Sequence, residues 1–181
     1  MRIPRDLCHL TPDGDWVPGS GPRGATRIWP YTQHWRWPVR TRDPLRADPV
    51  NLFVIGTDHV RMMRDLAPRG WSRPGDGGVH RLWIDRRLRV MSDHVALGGR
   101  ERRLHARLWS IPAGCLVAAH EEYLDERRDA HVVTSWDAAR ERIVADLCAA
   151  GYARLAPSAI VARPALRGVP GDGRIWRLVA P

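Results

Sequence analysis

Several residue types are scarce in this chain, and each scarcity excludes a class of protein. The 181 residues include only three cysteines, which are far apart and form no Cys-x-x-Cys pair. The sequence therefore predicts neither a disulfide framework nor a sulfur-rich zinc site, and it fits a reducing compartment. Apolar runs such as 52–55 are far shorter than the roughly 20 residues of a membrane helix, and the first residues lack the apolar core of a signal peptide. We therefore expect a cytoplasmic protein without membrane insertion.

Lysine is absent, so all 29 basic residues are arginine. With 20 acidic residues the formal net charge is +9, which makes nucleic acid a candidate partner. An arginine-only composition beside many Ala, Gly and Pro residues is also what a GC-rich coding sequence produces. The arginines come in short groups, often next to acids, rather than in one block. We therefore expect nucleic-acid binding only as an alternative to the recognition of smaller anions, for which arginine is the best side chain.

Common catalytic motifs are also missing. The chain contains no Gly-x-Ser-x-Gly elbow, no glycine-rich dinucleotide or phosphate-binding fingerprint, and no His-Glu-x-x-His zinc motif. The sequence consequently points to no particular reaction and implies no cofactor.

The chain divides into an arm, residues 1–47, and a domain, residues 48–181. The arm is rich in Pro, Gly, Trp and Arg and shows no sustained periodicity, which predicts an extended, wrapping segment. Disordered tails are poor in large apolar rings, so we expect the arm to pack against the domain. Four of the nine tryptophans lie in it: Trp16, Trp29, Trp35 and Trp37.

Two helices are predicted in the domain. The mostly apolar run 50–55 predicts a buried central strand, after which Thr57 caps a helix near 58–69 that ends at Gly70. Its predicted apolar face consists of Val60, Met63, Leu66 and Ala67. The second helix, near 136–150, begins after Thr134 or Ser135 and ends at Gly151. Because both helices end in a similar pattern (Asp-Leu, then Gly and an aromatic residue), they resemble an internal duplication.

Alternation over 104–111, a Pro-Ala-Gly turn and a strand at 115–123 predict a β-hairpin. A glycine-rich insertion, 72–99, contains a further strand around 88–91, and strands near 159–162 and 174–179 predict a C-terminal β-hairpin. The order of elements indicates an α+β fold, a ferredoxin-like β-α-β-β-α-β sandwich with both helices on one face of a mainly antiparallel sheet. Leu104, Ala106 and Leu108 then point under the helices, and His105, Arg107 and Trp109 lie on the opposite face.

Several segments resemble the LssY C-terminal domain family. The matching pieces span roughly 48–152: the run Asp-Pro-Val-Asn-Leu-Phe-Val-Ile-Gly at 48–56, the helix ending in Gly70-Trp71, Leu-His-Ala-Arg-Leu-Trp at 104–109, and Asp-Ala-Ala-Arg-Glu-Arg at 137–142. Leu104 replaces the first histidine of the family's His-His-x-Arg-x-Trp pattern. Members often carry this domain behind membrane-embedded modules of the lipid-phosphatase or DedA type. The resemblance implies a fold and no established reaction.

A metal or acid/base site is one hypothesis for the domain. Its candidate residues, on the hairpin and the loop that follows, are His105, His120, Glu121, Glu122 and His131. Imidazole and carboxylate suit zinc or a similar ion. Neighbouring strand residues point to opposite faces, however, and a one-residue slip decides whether His120 or Glu121 joins His105. Hydrogen-bonded structural histidines are the favoured interpretation, so no metal site is predicted.

The favoured hypothesis is anion binding. The predicted ligand-binding residues are His105, Arg107, Trp109, His131 and Arg140, the last in the first turn of the second helix, where free N–H groups favour anions. The chain is then a binding or interaction module for a small acidic or phosphorylated ligand, or for a protein partner such as a membrane-associated one. Three alternatives stay open: a hydrolase acting on a phosphate or acyl group with His105 and His131 as acid and base, the nucleic-acid-binding protein considered above, and a purely structural role. In the structural role Trp109 packs under the arm and Arg107 pairs with a carboxylate such as Glu121 or Asp137.

Overall fold

The computed structural model describes residues 7–34, 48–75, 80–85, 87–127, 130–158, 165–166 and 168–181. Within these ranges the strands are β1 Cys8–Leu10, β2 Trp16–Pro18, β3 Arg27–His34, β4 Leu52–Ile55, β5 His80–Ile84, β6 Arg87–Val90, β7 Asp93–Gly98, β8 Arg102–Ile111, β9 Gly114–Asp125, β10 Ala130–Ser135, β11 Ala153–Leu155, β12 Ala165–Leu166, β13 Val169–Pro170 and β14 Trp176–Val179. The helices are α1 His59–Leu66, continued by a 3₁₀ turn over Ala67–Arg69, and α2 Ala138–Ala149. Neither helix is long and apolar enough to span a membrane.

Most of the described elements form three layers: two helices, a large sheet and a smaller sheet. Strands β12 and β13 pair in a separate two-stranded sheet. The large sheet has the order β11-β14-β4-β9-β8-β7, with β10 beside the far end of β9, and the smaller sheet has the order β2-β1-β3-β5-β6. Met62 and Leu66 of α1 and Ile143 and Leu147 of α2 share one apolar core with a single face of the large sheet. The prediction that both helices lie on the same face is therefore confirmed.

The fold is α+β and rich in sheet, as predicted, but the specific ferredoxin-like topology is not supported. In a ferredoxin-like sheet the strand after the second helix pairs antiparallel with the first strand. Here that strand, β11, pairs with β14, and β14 lies between it and β4 and runs parallel to β4. The predicted strand at 174–179 is thus present as β14 but lies between β11 and β4 in the large sheet. Its predicted hairpin partner at 159–162 lies outside the described residues.

The first helix begins one residue later than predicted. Asp58, not Thr57, is the N-cap, and its carboxylate accepts a hydrogen bond from the Arg61 N–H. The buried side chains of α1 are Met62 and Leu66, whereas Val60 is 61% exposed. The sequence pattern therefore assigned Val60 to the wrong face. Gly70 ends the helix as predicted, in the left-handed conformation.

The ends of the two helices contact each other. The second helix begins at Ala138 with Asp137 as its N-cap, two residues later than predicted, and the Ser135 hydroxyl accepts hydrogen bonds from the N–H groups of residues 137 and 138. The Trp71 indole N–H, just after the first helix, donates to Asp146 in α2 at 2.8 Å. The Tyr152 hydroxyl, just after α2, donates to Asp65 in α1 at 2.8 Å. The repeated pattern thus forms a reciprocal pair of contacts between the helices.

The described part of the arm is a sheet rather than an extended segment without regular structure. Its strands β1, β2 and β3 pair with one another, and β3 pairs with β5 of the glycine-rich insertion. Trp16 and Trp29 are buried, so the arm packs against the domain as expected. Trp35 and Trp37 lie outside the described residues. Short-range periodicity did not reveal these strands because the partner of β3 comes from a distant part of the chain.

Candidate functional site

The β8–β9 hairpin brings histidine and glutamate side chains together between the two sheets. His105 lies opposite His120 in the ladder, so His120, not Glu121, shares its face. Glu122 joins the same face two residues further along β9. The tight turn sets this register, because β8 ends at Ile111 opposite Gly114. A Cβ atom at Gly114 would lie 2.2 Å from the Val54 carbonyl oxygen, so only glycine fits there.

His105, His120 and Glu122 form a compact group that we call the His-Glu cluster. The His120 Nε2 atom lies 2.8 Å from Glu122 Oε2, and the His105 Nδ1 atom lies 3.4 Å from Glu122 Oε1. The two imidazole rings meet edge to face with centroids 5.2 Å apart. All three residues are at most 4% exposed. The described residues thus place two imidazoles and a carboxylate around one point with almost no solvent contact.

Two arginines and a second carboxylate surround the His-Glu cluster. The Arg103 Nε–H donates to Glu122 Oε1 at 2.6 Å. The Arg107 guanidinium donates to Asp48, and its Nη1 atom lies 3.4 Å from His120 Nδ1. Each buried arginine therefore faces a buried carboxylate, as the high cost of burying an unpaired charge requires.

Burial and the contacts between the side chains set the protonation states of His105 and Glu122. Loss of solvent lowers the pKa of His105 to about 3, although Glu122 opposes this effect. Burial raises the pKa of Glu122, but the contacts of its oxygens with His105 and His120 outweigh that effect and hold this pKa well below its usual range. At neutral pH His105 is therefore neutral and Glu122 is ionised. These are the forms in which imidazole and carboxylate bind metal ions.

Arg107 and Trp109 occupy the face that the sequence predicts, but they do different things. Arg107 is 8% exposed and bound to Asp48 of the same chain. Trp109 is buried in the apolar core between the sheets, which also contains Trp16 of the arm. This packing matches the structural alternative stated for both residues. The carboxylate partner is Asp48, however, and not Glu121 or Asp137.

His131 and Arg140 lie apart from the His-Glu cluster. His131 lies opposite Leu124 in the β9–β10 ladder, four residues along β9 from His120, and its Nε2 atom is 3.2 Å from the carbonyl oxygen of Arg100. Arg140 is buried in α2 with Asp137, Glu141 and Asp172 all within 3.1 Å of its guanidinium. Three carboxylates already pair with its terminal nitrogens, whereas its Nε–H makes no hydrogen bond among the described residues. The structure therefore unites only part of the predicted residue set.

Asp48, Asn51 and Arg103 were not among the predicted site residues. Asp48 lies beside β3, because its carbonyl oxygen accepts a hydrogen bond from the Thr32 N–H. This position brings its carboxylate to Arg107. The Asn51 amide donates to the carbonyl oxygens of Ala119 and Trp136 at 2.8 and 2.6 Å. Both residues belong to the segment 48–56 that carries the family resemblance, which was the available signal. Nothing in the local pattern distinguishes Arg103.

A cleft of about 470 Å³ adjoins the His-Glu cluster at the ends of β7 and β8. Its described lining includes Arg100, Arg103 and the glycines Gly75, Gly98 and Gly99, and it contains no carboxylate. Arg103 belongs to both features, because it lines the cleft and also binds Glu122. The cleft is therefore positively charged where it approaches the His-Glu cluster.

A comparison of this chain with protein-family models, curated proteins and solved structures finds no match. The similarity of residues 48–152 to the LssY C-terminal domain family accordingly stays a prediction.

Proposed function

We propose that this protein is a binding domain for a small acidic or phosphorylated ligand, held in the cleft at the ends of β7 and β8. The observation that carries the proposal is the charge of this cleft: its described lining offers two arginines and no carboxylate. A volume of about 470 Å³ falls within the range of small-molecule sites. Arginine presents a planar fork of donors that matches phosphate and carboxylate oxygens.

The glycines of the cleft support the same chemistry. Gly75, Gly98 and Gly99 are exposed and present backbone without side chains, so an anion can approach their N–H groups closely. A Cβ atom at Gly98 would lie 2.8 Å from the Arg102 carbonyl oxygen, and its φ of +112° favours glycine. Both features keep this corner of the cleft free of side chains.

The arginines that line the cleft are not the ones that the sequence pattern indicates. Arg107 and Arg140 each bind carboxylates of the chain itself and do not line this cleft. Arg103 binds Glu122 and also lines the cleft, as does Arg100. A binding role is favoured over hydrolysis with His105 and His131 as acid and base, because His105 is 2% exposed and His131 contacts a different part of the chain. A general acid and base must reach the same substrate.

The test compares Arg100→Gln with Arg102→Gln. Arg102 lies two residues away, has a side chain 73% exposed and pairs with Glu121 rather than lining the cleft, so it loses the same charge without touching the site. Inorganic phosphate and a simple phosphate monoester should bind to the wild type at constant ionic strength, measured by isothermal calorimetry. Arg100→Gln should weaken this binding by about tenfold, the effect of one charge-assisted hydrogen bond. Arg102→Gln should bind like the wild type.

Two results would overturn the proposal. The first is that neither probe binds more tightly than chloride to the wild type. The second is an equal loss in both variants, which would show general charge attraction and not a site.

A further inference from the structure

We infer that His105, His120 and Glu122 form a binding site for one divalent transition-metal ion. Each residue offers one ligand atom, and these atoms all lie within 4.8 Å of one another. The three side chains come from two neighbouring strands whose ladder holds His105 opposite His120. A site built on paired strands is held more rigidly than one built on loops.

The strongest support is His105 itself. The ring is 2% exposed, and among the described residues neither of its nitrogens makes a hydrogen bond. Glu122 Oε1 is 3.4 Å from His105 Nδ1, beyond the normal N–H···O distance. A buried polar group without a partner is costly, and buried histidines are normally satisfied. A metal ion between His105 and Glu122 would use the lone pair that the chain leaves without a partner.

The donor set selects the kind of ion. Two imidazoles and one carboxylate suit Zn²⁺, Fe²⁺ or Co²⁺, whereas Ca²⁺ and Mg²⁺ prefer shells made of oxygen. Three protein ligands also leave at least one coordination position for water or for a ligand atom, as in open metal sites. The described residues therefore offer an incomplete shell and not a closed structural site.

The surrounding charges fit a carboxylate that shares its two oxygens. Arg103 binds Glu122 Oε1, while Oε2 points toward His120 Nε2 at 2.8 Å. Arg103 is thus a positioning residue that orients the carboxylate, in the manner of the outer contacts of known metal sites. Asp48 balances the charge of Arg107 on the other side. Arg103 also lines the cleft, so this one side chain contacts both the cleft and the His-Glu cluster.

Titration of the full chain with Co²⁺ after EDTA treatment tests the inference. Co²⁺ bound to imidazole and carboxylate gives visible absorption bands that report its coordination, and Zn²⁺ should displace it. We expect one ion per chain. His105→Gln and Glu122→Gln should abolish the bands, and His131→Gln, a histidine outside the His-Glu cluster, should leave them unchanged.

The wild-type measurement decides the question even if a variant does not fold. Circular dichroism identifies any variant that has lost its structure, and such a variant is replaced by His120→Gln. Absence of a bound ion in the folded wild type would overturn the inference, and so would bands that persist in the folded cluster variants. Arg100→Gln should bind Co²⁺ normally, so the metal site and the proposed anion cleft can fail independently.

Discussion

At the scale of single residues, Arg107 shows how a mid-strand charge is accommodated. It lies on the face of β8 that the smaller sheet covers, where its side chain is only 10% exposed. Its carboxylate partner, Asp48, is 59 positions away in the chain. Asp48 lies 3.8 Å from the His80 ring, so the ion pair is part of a wider polar group. The charge is therefore kept in the interior by a contact between β8 and the segment that precedes β4.

Arg107→Ala should destabilise the protein by about 3 kcal/mol, because it leaves the Asp48 carboxylate buried without its guanidinium. The free energy of unfolding from urea titration measures this change. Phosphate should not alter the difference, since Arg107 has its partner within the chain.

The double variant Arg107→Met, Asp48→Asn provides the control. It removes both charges, so its loss of stability should be smaller than the sum of the two single losses. A loss below about 0.5 kcal/mol for Arg107→Ala, the usual size of a surface effect, would contradict a buried ion pair.

At the scale of elements, the two helices are joined by reciprocal contacts between aromatic residues and aspartates. Tyr152 follows α2 and binds Asp65 of α1, and Trp71 follows the first helix and binds Asp146 of α2. Both aspartates are also close to arginines of their own helices. These contacts hold the ends of the two helices together and orient both helices on one face of the large sheet.

Tyr152→Phe should destabilise the protein by about 1 kcal/mol, the net value of one hydrogen bond. Tyr123→Phe makes the same chemical change at a tyrosine that is 40% exposed, and it should leave the unfolding free energy unchanged. Thermal or urea unfolding at neutral pH measures both variants. Equal stability of the two variants would contradict a contribution from the Tyr152–Asp65 bond.

The same bond predicts a pH window. Burial and Asp65 raise the pKa of Tyr152 above its ordinary 10.0, so the contribution is complete below that pH and is lost as pH rises through the folded-state pKa. For Asp65, burial opposes the shift, but Tyr152 and Arg64 lower the pKa below its ordinary 3.8. The contribution is therefore complete above that pH and is lost on acidification. The stability difference between wild type and Tyr152→Phe should be largest between these two values and should shrink on both sides.

At the scale of the whole molecule, many of the positively charged side chains form ion pairs within the chain. Many arginines contact carboxylates of the same chain, among them Arg64, Arg73, Arg102, Arg103, Arg107, Arg140, Arg142 and Arg177. A nucleic-acid surface needs many cations that act together on phosphates. The excess of +9 is therefore a weak guide to a partner of that class.

Binding to duplex or single-stranded nucleic acid should be weak and should disappear near about 0.15 M salt, because few counterions are released together. Fluorescence anisotropy with labelled oligonucleotides over a salt series measures this. Sub-micromolar, sequence-selective binding at that salt would show that the arginines form a nucleic-acid surface after all.

The sequence by itself determined the elements whose signals are local. The alternation over 104–111 placed His105, Arg107 and Trp109 on one face, and glycines marked the ends of both helices, because periodicity and caps depend on near neighbours. Tertiary structure alone decided the rest of the fold. The pairing of β3 with β5 and the entry of β14 beside β4 join strands that are distant in the chain, and no short pattern encodes such pairings.

The same division holds for the candidate site. Sequence placed His105 on the correct face, but the register that adds His120 and Glu122 depends on the turn at Gly114 and on its close approach to the β4 backbone. Arginine is a residue type that binds anions, but in the folded chain three carboxylates surround Arg140. Burial and the identity of a charge's partner arise only when the two sheets close on each other, because each depends on residues that meet from separate parts of the chain.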